Sequence, residues 1–148
     1  MNSYRQILYH VVFCTYKRKP SLPEDQHEKL YKFISGILKR RKCTLYQING
    51  TENHIHVLSD LHPTLCLADY IKEIKTASTL WMKKNGNFPD FEHWANGYFA
   101  GTYHIQEKNK VLNYIKLQKE KHKMINLEKE YKKLLDEHGI NWDERYIF

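Results

Sequence analysis

The sequence has few cysteines and no long apolar run, and each absence excludes a class of protein. Its 148 residues include three cysteines, which are scattered and form no Cys-x-x-Cys pair: Cys14, Cys43 and Cys66. This odd number argues against a disulfide framework or a cysteine zinc site, and it predicts reduced thiols in a reducing compartment. No stretch approaches the roughly 20 apolar residues that cross a bilayer, and no signal-peptide pattern is present. We therefore expect a cytoplasmic protein that does not contact membranes.

Positive charge is what the sequence has in excess. Lysine and arginine number 24 against 17 aspartate and glutamate residues, so the formal net charge is +7. The basic residues cluster at positions 17–19, 39–42 and 116–123. A basic surface attracts polyanions, and inside a cell nucleic acid is the commonest of these. The composition therefore favours a nucleic-acid partner.

Hydrophobic periodicity predicts a mixed α+β domain. Runs of β-branched and aromatic residues predict four strands, over residues 7–16, 44–49, 54–61 and 97–104. Apolar residues at helical spacing predict helices over residues 24–41, 67–84, 106–123 and 127–137. The order β-α-β-β-α-β is that of a ferredoxin-like or RRM-like split βαβ fold with an antiparallel sheet, followed by an additional C-terminal helix. We expect one domain over residues 1–123 and a partly helical tail over residues 124–148.

Two histidines share one face of the third predicted strand. His54 and His56 flank Ile55, and side chains alternate between the faces of a strand, so both imidazoles point the same way. Their stems lie roughly 7 Å apart, which lets both rings reach one metal ion. On this evidence alone, a metal site and a pair of ordinary surface histidines both remain open.

The predicted helix over residues 106–123 carries a second polar row. Tyr114 and Gln118 are four residues apart, about 6 Å along the axis, and therefore lie on one face. His122 extends the row by one turn, as an alternative ligand, a phosphate contact or a solvated histidine. An ordinary amphipathic surface helix explains the same pattern.

Together these motifs resemble the single-tyrosine HUH transposases of small bacterial insertion sequences and their REP-associated tyrosine transposase relatives. The resemblance rests on His54-Ile55-His56, a lysine-rich helix, the segment 94–99 (WANGYF) and Tyr114-x-x-x-Gln118, in that order. Residues 9–15 (YHVVFCT) are similar to the first strand of the family. The resemblance extends from about residue 4 to about residue 122.

The resemblance implies a metal-dependent DNA strand transferase. The resemblance implies that Tyr114 is the nucleophile and that His54, His56 and Gln118 hold Mg²⁺ or Mn²⁺. The implied substrate is single-stranded DNA with a hairpin at the element end, which is cleaved and rejoined through a 5′-phosphotyrosine intermediate. The family also implies a nucleoid-associated homodimer whose active sites can be completed in trans, and we expect the strand over residues 7–16 to supply the dimer contact by edge pairing. One departure from the family is Asn53, which stands where an acidic residue often precedes the histidine pair.

DNA contacts are predicted for the basic turn and for one side of the second helix. These residues could follow a single strand through phosphate contacts: Lys17, Arg18, Lys19, Lys72, Lys75 and Thr76, with Ser78 and Thr79 nearby. A solvated basic face explains them equally well. The aromatic residues Trp94, Tyr98 and Phe99 could stack on bases or belong to the core.

Two other functions are compatible with the predicted fold. One is a non-catalytic RRM-like nucleic-acid-binding module, but such modules carry an aromatic RNP1 pattern where this chain has His54-Ile55-His56. The other is a domesticated HUH endonuclease that keeps the chemistry and serves the host.

Overall fold

A four-stranded antiparallel sheet forms the centre of the protein. The computed structural model describes residues 3–122 and 126–147, and of residues 121 and 122 it describes the backbone. The strands are Leu8–Cys14 (β1), Leu45–Gly50 (β2), His54–Ser59 (β3) and Phe99–Tyr103 (β4). Their order across the sheet is β2-β3-β1-β4. Together with the intervening helices, this arrangement confirms the predicted split βαβ fold.

One face of the sheet is covered by two long helices, His27–Arg40 (α1) and Leu67–Asn85 (α2). Their apolar residues recur at helical spacing and pack against the sheet residues that point to this side. The fully buried members of this core include Val11, Phe13, Ile55, Leu30 and Ile34. This face provides the larger hydrophobic core.

The opposite face is covered by the C-terminal half of the chain. Its helices are Lys108–Lys116 (α3), Gln118–His122 (α4) and Leu127–Glu137 (α5). Val111 and Ile115 of α3 pack against Leu8 and Leu58. Side chains from α5, which lies in the predicted tail, pack against β1 and β4. The even-numbered residues of β1 and β3, including both site histidines, point to this side.

The structure corrects the predicted helix over residues 106–123, which is interrupted. A 3₁₀ turn precedes α3, and Leu117 separates α3 from α4 with φ −95° and ψ 16°. Leu117 is half exposed rather than directed inward. Neither glycine nor proline marks the break, so the local sequence contains no ordinary signal for it.

The structure also corrects the predicted role of the first strand. β1 pairs with β3 on one side and β4 on the other, so its backbone groups are already used within the sheet. The predicted dimer contact through an edge at residues 7–16 is therefore wrong, since only β2 and β4 are edge strands in the described sheet. None of the helices in the described part of the chain is both long and apolar enough to cross a membrane.

Candidate active site

The two histidines of β3 lie side by side beneath the C-terminal helices. Both side chains are fully buried, and their ring centroids are 5.1 Å apart. They share one face of the strand, as the alternation of the sequence predicts, while Ile55 packs in the opposite core. Burial of both rings distinguishes them from ordinary surface histidines.

Hydrogen bonds hold His54 with one nitrogen directed into the site. Its Nδ1 lies 2.8 Å from Oδ1 of Asn53 and 3.0 Å from Oγ1 of Thr51. With the proton on Nδ1 and donated to Asn53, the Nε2 lone pair is directed toward Gln118, whose Oε1 lies 3.2 Å away. Asn53 thus orients the His54 ring by a hydrogen bond, as an acidic residue at this position would.

His56 is oriented by a third buried histidine, His10 of β1. Nδ1 of His56 lies 2.8 Å from Nε2 of His10, and the two rings stack at 5.1 Å. Burial, followed by the charges of His56 and His138, holds the pKa of His10 well below its ordinary value, so His10 is neutral and can accept this proton. Within the described residues, Nε2 of His56 has no hydrogen-bond partner.

The structure brings Tyr114 and Gln118 to the histidine pair within one chain. The ring centroid of Tyr114 lies 5.6 Å from that of His56. Although Leu117 interrupts the helix, both side chains donate hydrogen bonds to the same oxygen, Oε1 of Glu130, with Gln118 at 2.8 Å. His122 ends α4, and its side chain lies outside the described part of the structure.

Glu130 is a site residue that the sequence reasoning missed. It comes from α5, is 4 % exposed, and places Oε1 3.2 Å from Nε2 of His56. Oε2 lies 3.8 Å from Nε2 of His54 and makes no hydrogen bond in the described parts of the chain. Burial acts to raise the pKa of this carboxyl, but the neighbouring His56, Tyr114 and His54 outweigh it, and the pKa is lowered.

The donor atoms in this cluster fit a divalent cation. One ligand atom each from His54, His56 and Glu130 lies within 4.8 Å of the others. Atoms that share one ion at about 2.0–2.2 Å are separated by about 3–4 Å. The carboxylate approaches the two rings to such distances through different oxygens, with Oε1 3.2 Å from Nε2 of His56 and Oε2 3.8 Å from Nε2 of His54. Nε2 of His56 and Oε2 of Glu130 are buried and have no hydrogen-bond partner among the described residues, and a cation would satisfy both.

The candidate nucleophile is protonated in this arrangement. Burial raises the pKa of the Tyr114 hydroxyl, and the Glu130 carboxylate raises it further through its charge and hydrogen bond. A cleft of about 730 Å³ runs between α3 and α5 to the Tyr114 side chain. Its lining includes Tyr103, Lys110, Glu130, Lys133 and His138. A substrate can therefore reach the tyrosine from solvent.

The predicted basic turn lies close to the histidine pair. Lys17 and Lys19 are exposed, and the backbone carbonyl of Arg18 accepts a hydrogen bond from Asn53. A second cleft, of about 430 Å³, lies beside this turn and is lined by residues that include Arg18, Asn53 and Lys119. Arg18 of the turn and Lys119 therefore line one cleft together with Asn53.

Some of the residues predicted to contact DNA from α2 are exposed, and others are hydrogen-bonded within the protein or buried. Lys72 and Thr76 are exposed. The ammonium group of Lys75 donates to the carbonyls of Ala95 and Gly97, so a phosphate would have to share it. Ser78 is fully buried, which corrects its predicted place on the exposed side, and Thr79 is half-buried.

The aromatic residues before and at the start of β4 belong mainly to the cores. Trp94 packs edge-on against Phe13 and donates to the Ser78 hydroxyl. Phe99 packs against Val12 and the leucines of α5. Tyr98 is 39 % exposed, so base stacking stays a prediction for this ring alone.

Comparison with known proteins identifies the family of this chain. The family model described as "Transposase IS200 like" matches residues 3–118. The chain is similar to the transposase for insertion sequence element IS200 of Salmonella typhimurium, at 22% identity over 121 residues, covering 78% of this chain and 79% of the relative.

Two solved structures share the fold. The first is a protein of Deinococcus radiodurans assigned as a transposase, with a TM-score of 0.61 and 20% identity, covering 80% of this chain and 95% of the other. The second is a REP-associated tyrosine transposase bound to a REP hairpin, with a TM-score of 0.58 and 16% identity, covering 84% and 76%. The family match spans most of the sequence and confirms the resemblance seen in its motifs. The chain therefore belongs to the IS200-like family of transposases.

Proposed function

We propose that this DNA transposase cleaves and rejoins single-stranded DNA through a 5′-phosphotyrosine at Tyr114. The observation that carries the proposal is the position of Tyr114, whose ring lies 5.6 Å from that of His56 in a buried cluster with His54 and Gln118. A tyrosine nucleophile beside a candidate metal site is the arrangement that phosphodiester transfer requires. Tyr114 and Glu130 line an open cleft, through which a polymer could reach the tyrosine.

The residues proposed to hold Mg²⁺ or Mn²⁺ are His54, His56 and Gln118. The chemistry supplied by a bound divalent cation is polarisation of the scissile phosphate and stabilisation of the charge that develops there. Asn53 and His10 accept the Nδ1 protons of the two histidines and so keep each Nε2 lone pair directed inward. Imidazole ligands favour Mn²⁺ in affinity, whereas cellular abundance favours Mg²⁺.

Cleavage exchanges one phosphate ester for another. The Tyr114 oxygen forms a bond to phosphorus, the bond from phosphorus to the 3′ oxygen breaks, and one strand leaves with a free 3′-OH. The phenolic proton of Tyr114, which lines the open cleft, passes to water there, and the departing 3′ oxygen takes up a proton from water. Rejoining reverses these steps, because a 3′-OH attacks the phosphotyrosine and restores the tyrosine, so no ATP is consumed.

A DNA hairpin at the element end is the proposed substrate. A structural relative is described as bound to a REP hairpin. In this chain, Arg18 of the basic turn and Lys119 line a cleft with Asn53, the residue before the histidine pair, and we propose that phosphate contacts of residues 17–19 and Lys119 guide a single strand there. Lys72, Lys75 and Thr76 on α2 are proposed as further contacts with the same strand.

We propose a homodimer that acts on DNA in the bacterial cytoplasm, at the nucleoid. Since the tyrosine and the histidine pair meet within one chain, such a dimer can act with each site assembled in cis. Dimer formation would then place two DNA ends near each other without an exchange of helices between subunits.

The sheet surface argues against the RRM-like alternative. An RRM binds RNA on an open sheet face that carries aromatic side chains. Here the corresponding face of β1 and β3 carries His10, His54 and His56 and is covered by α3 and α5. A domesticated endonuclease would use the same site.

Covalent trapping of a labelled DNA hairpin tests the proposal. We expect the wild-type protein to form an adduct with a single-stranded hairpin oligonucleotide in Mg²⁺ or Mn²⁺, visible as a band shift on denaturing gels. Tyr114→Phe should abolish the adduct, because it removes the attacking oxygen while leaving the ring. Tyr46→Phe, which removes a hydroxyl beside α3, is the matched control and should retain it. An adduct with Tyr114→Phe, or none with the wild type, would refute the mechanism.

A further inference from the structure

We infer that Glu130 is a metal ligand of this site and fixes Tyr114 beside the metal. The inference rests on the proposed function and extends it, since the family resemblance supplies His54, His56 and Gln118 but assigns nothing to α5. In this chain a carboxylate from that helix lies between both histidines and the tyrosine.

The two oxygens of Glu130 have different neighbours. Oε1 accepts hydrogen bonds from Tyr114 and Gln118 and lies 3.2 Å from Nε2 of His56. Oε2 has no hydrogen-bond partner among the described residues, yet it is buried 3.8 Å from Nε2 of His54. A buried carboxylate oxygen without a donor is costly. A cation shared with the two Nε2 atoms would satisfy Oε2 and leave both existing hydrogen bonds to Oε1 in place.

Charge supports the same assignment. Glu130 is buried, and within residues 3–122 and 126–147 no lysine or arginine forms an ion pair with it. A buried carboxylate requires a compensating positive charge. The nearby imidazoles must be unprotonated at Nε2 to act as ligands, so they cannot supply that charge and bind a metal together. A divalent cation supplies it and keeps a net charge of +1 with which to attract a DNA phosphate.

Packing of α5 places the carboxylate precisely enough for coordination. Leu134 and Leu135 pack against Val12 and Phe99, on the same side of the sheet as the histidine pair. At the other end of the helix, the Asn126 side chain caps the first turn by accepting a hydrogen bond from the backbone of Lys129. Glu130 is therefore held on a docked helix, as a ligand should be.

The carboxylate also connects the nucleophile to the metal. Because Oε1 accepts the Tyr114 hydroxyl while Oε2 lies 3.8 Å from Nε2 of His54, one rigid group sets the position of the tyrosine relative to the cation. Glu130 is thus a metal ligand and, toward Tyr114, a positioning residue.

Mn²⁺ titration of the full-length protein, followed by isothermal calorimetry and by the loss of the free Mn²⁺ EPR signal, tests the inference without DNA. Glu130→Gln should weaken Mn²⁺ binding by more than the roughly 10- to 100-fold that loss of an outer-shell partner costs, and Glu130→Ala by more again. Glu128→Gln, an exposed change on the same helix, is the matched control and should leave the affinity within about twofold.

His54→Ala separates failure of this inference from failure of the proposed site. If His54→Ala abolishes Mn²⁺ binding while Glu130→Gln binds as tightly as the wild type or more tightly, Glu130 covers the site and the inference is wrong. If His54→Ala also binds normally, the proposed metal site itself is wrong.

A wild-type measurement keeps the test independent of variant folding. Crystals of the unmodified protein soaked in Mn²⁺ should show an anomalous peak within about 2.0–2.3 Å of Oε2 of Glu130 and of both Nε2 atoms. A peak that contacts the two histidines with Glu130 turned away would overturn the inference.

Discussion

His10 is expected to control metal affinity although it does not contact the metal. For His56 to coordinate through Nε2, its proton must sit on Nδ1 and be donated to Nε2 of His10, 2.8 Å away. Replacement by phenylalanine keeps a buried aromatic ring next to Phe99 and Tyr103 but removes the acceptor. His56 is then favoured in the tautomer with its proton on Nε2, where the lone pair is needed.

The magnitude follows from the cost of the lost hydrogen bond. A buried donor left without an acceptor costs about 1–3 kcal/mol, which corresponds to roughly 5- to 150-fold in affinity. Metal-free stability should not fall, because the replaced imidazole carries a buried Nδ1 that has no partner among the described residues. His54 should be less sensitive to a single loss, since both Asn53 and Thr51 lie within reach of its Nδ1.

Mn²⁺ calorimetry beside thermal unfolding in EDTA separates orientation from folding. We expect His10→Phe to weaken binding by one to two orders of magnitude with an unchanged or higher Tm, and His10→Gln to recover part of the loss through its amide oxygen. His104→Phe, at an exposed position, is the control. Wild-type affinity in a folded His10→Phe protein would refute the argument that the tautomer of His56 is set by His10.

Two further predictions concern pH and assembly. Burial lowers the pKa of His27, whose Nε2 lies 2.8 Å from the carbonyl of Leu22. The folded state therefore favours the neutral imidazole. The resulting contribution to the free energy of unfolding is present above the pKa of His27 in the unfolded chain and is lost as the pH falls. Urea unfolding of metal-free protein at pH 7.5 and 5.5 should show a larger loss for the wild type than for His27→Gln, and equal losses would contradict the assignment. Light scattering should give the mass of a dimer, and a monomeric mass with full cleavage activity would exclude the proposed homodimer.

The elements of the fold could be predicted because their signals are local. Alternating and helical periodicities placed each strand and long helix within a few residues of its observed position, and α5 was predicted as residues 127–137, as observed. Gly139 ends that helix with φ +66°, a conformation that favours glycine. What local patterns do not contain is the order of strands in the sheet, so β1 was predicted to provide an edge although it is central. The break at Leu117 escaped prediction because neither glycine nor proline marks it in the sequence.

The residues that orient the site depend on contacts between distant parts of the chain. His10 and His56 are separated by 46 positions, and only the register of β1 against β3 brings them together. A buried histidine on a strand is most simply a packed residue, and its role as a proton acceptor becomes visible only when Nδ1 of the neighbouring ring is located. In the sequence, Asn53 was identified as a departure from the family because an acidic residue often stands there. In the structure, its amide oxygen accepts the same hydrogen bond that a carboxylate would.

Glu130 is a charged residue within the apolar stripe of α5, and this exception to the pattern is visible in the sequence. Leu127, Glu130 and Leu134 occupy positions i, i+3 and i+7 of α5, which is the spacing of one buried stripe, and all three are buried. A carboxylate in such a stripe carries a desolvation cost that an apolar residue would avoid. That cost requires either a permanent partner of opposite charge or a bound cation, and no lysine or arginine in the described chain fills the first role. The sequence therefore shows a charged residue at a position where the helical periodicity predicts an apolar one. The partners of Glu130 could be named only from the structure, in which α5 docks beside His54 and His56.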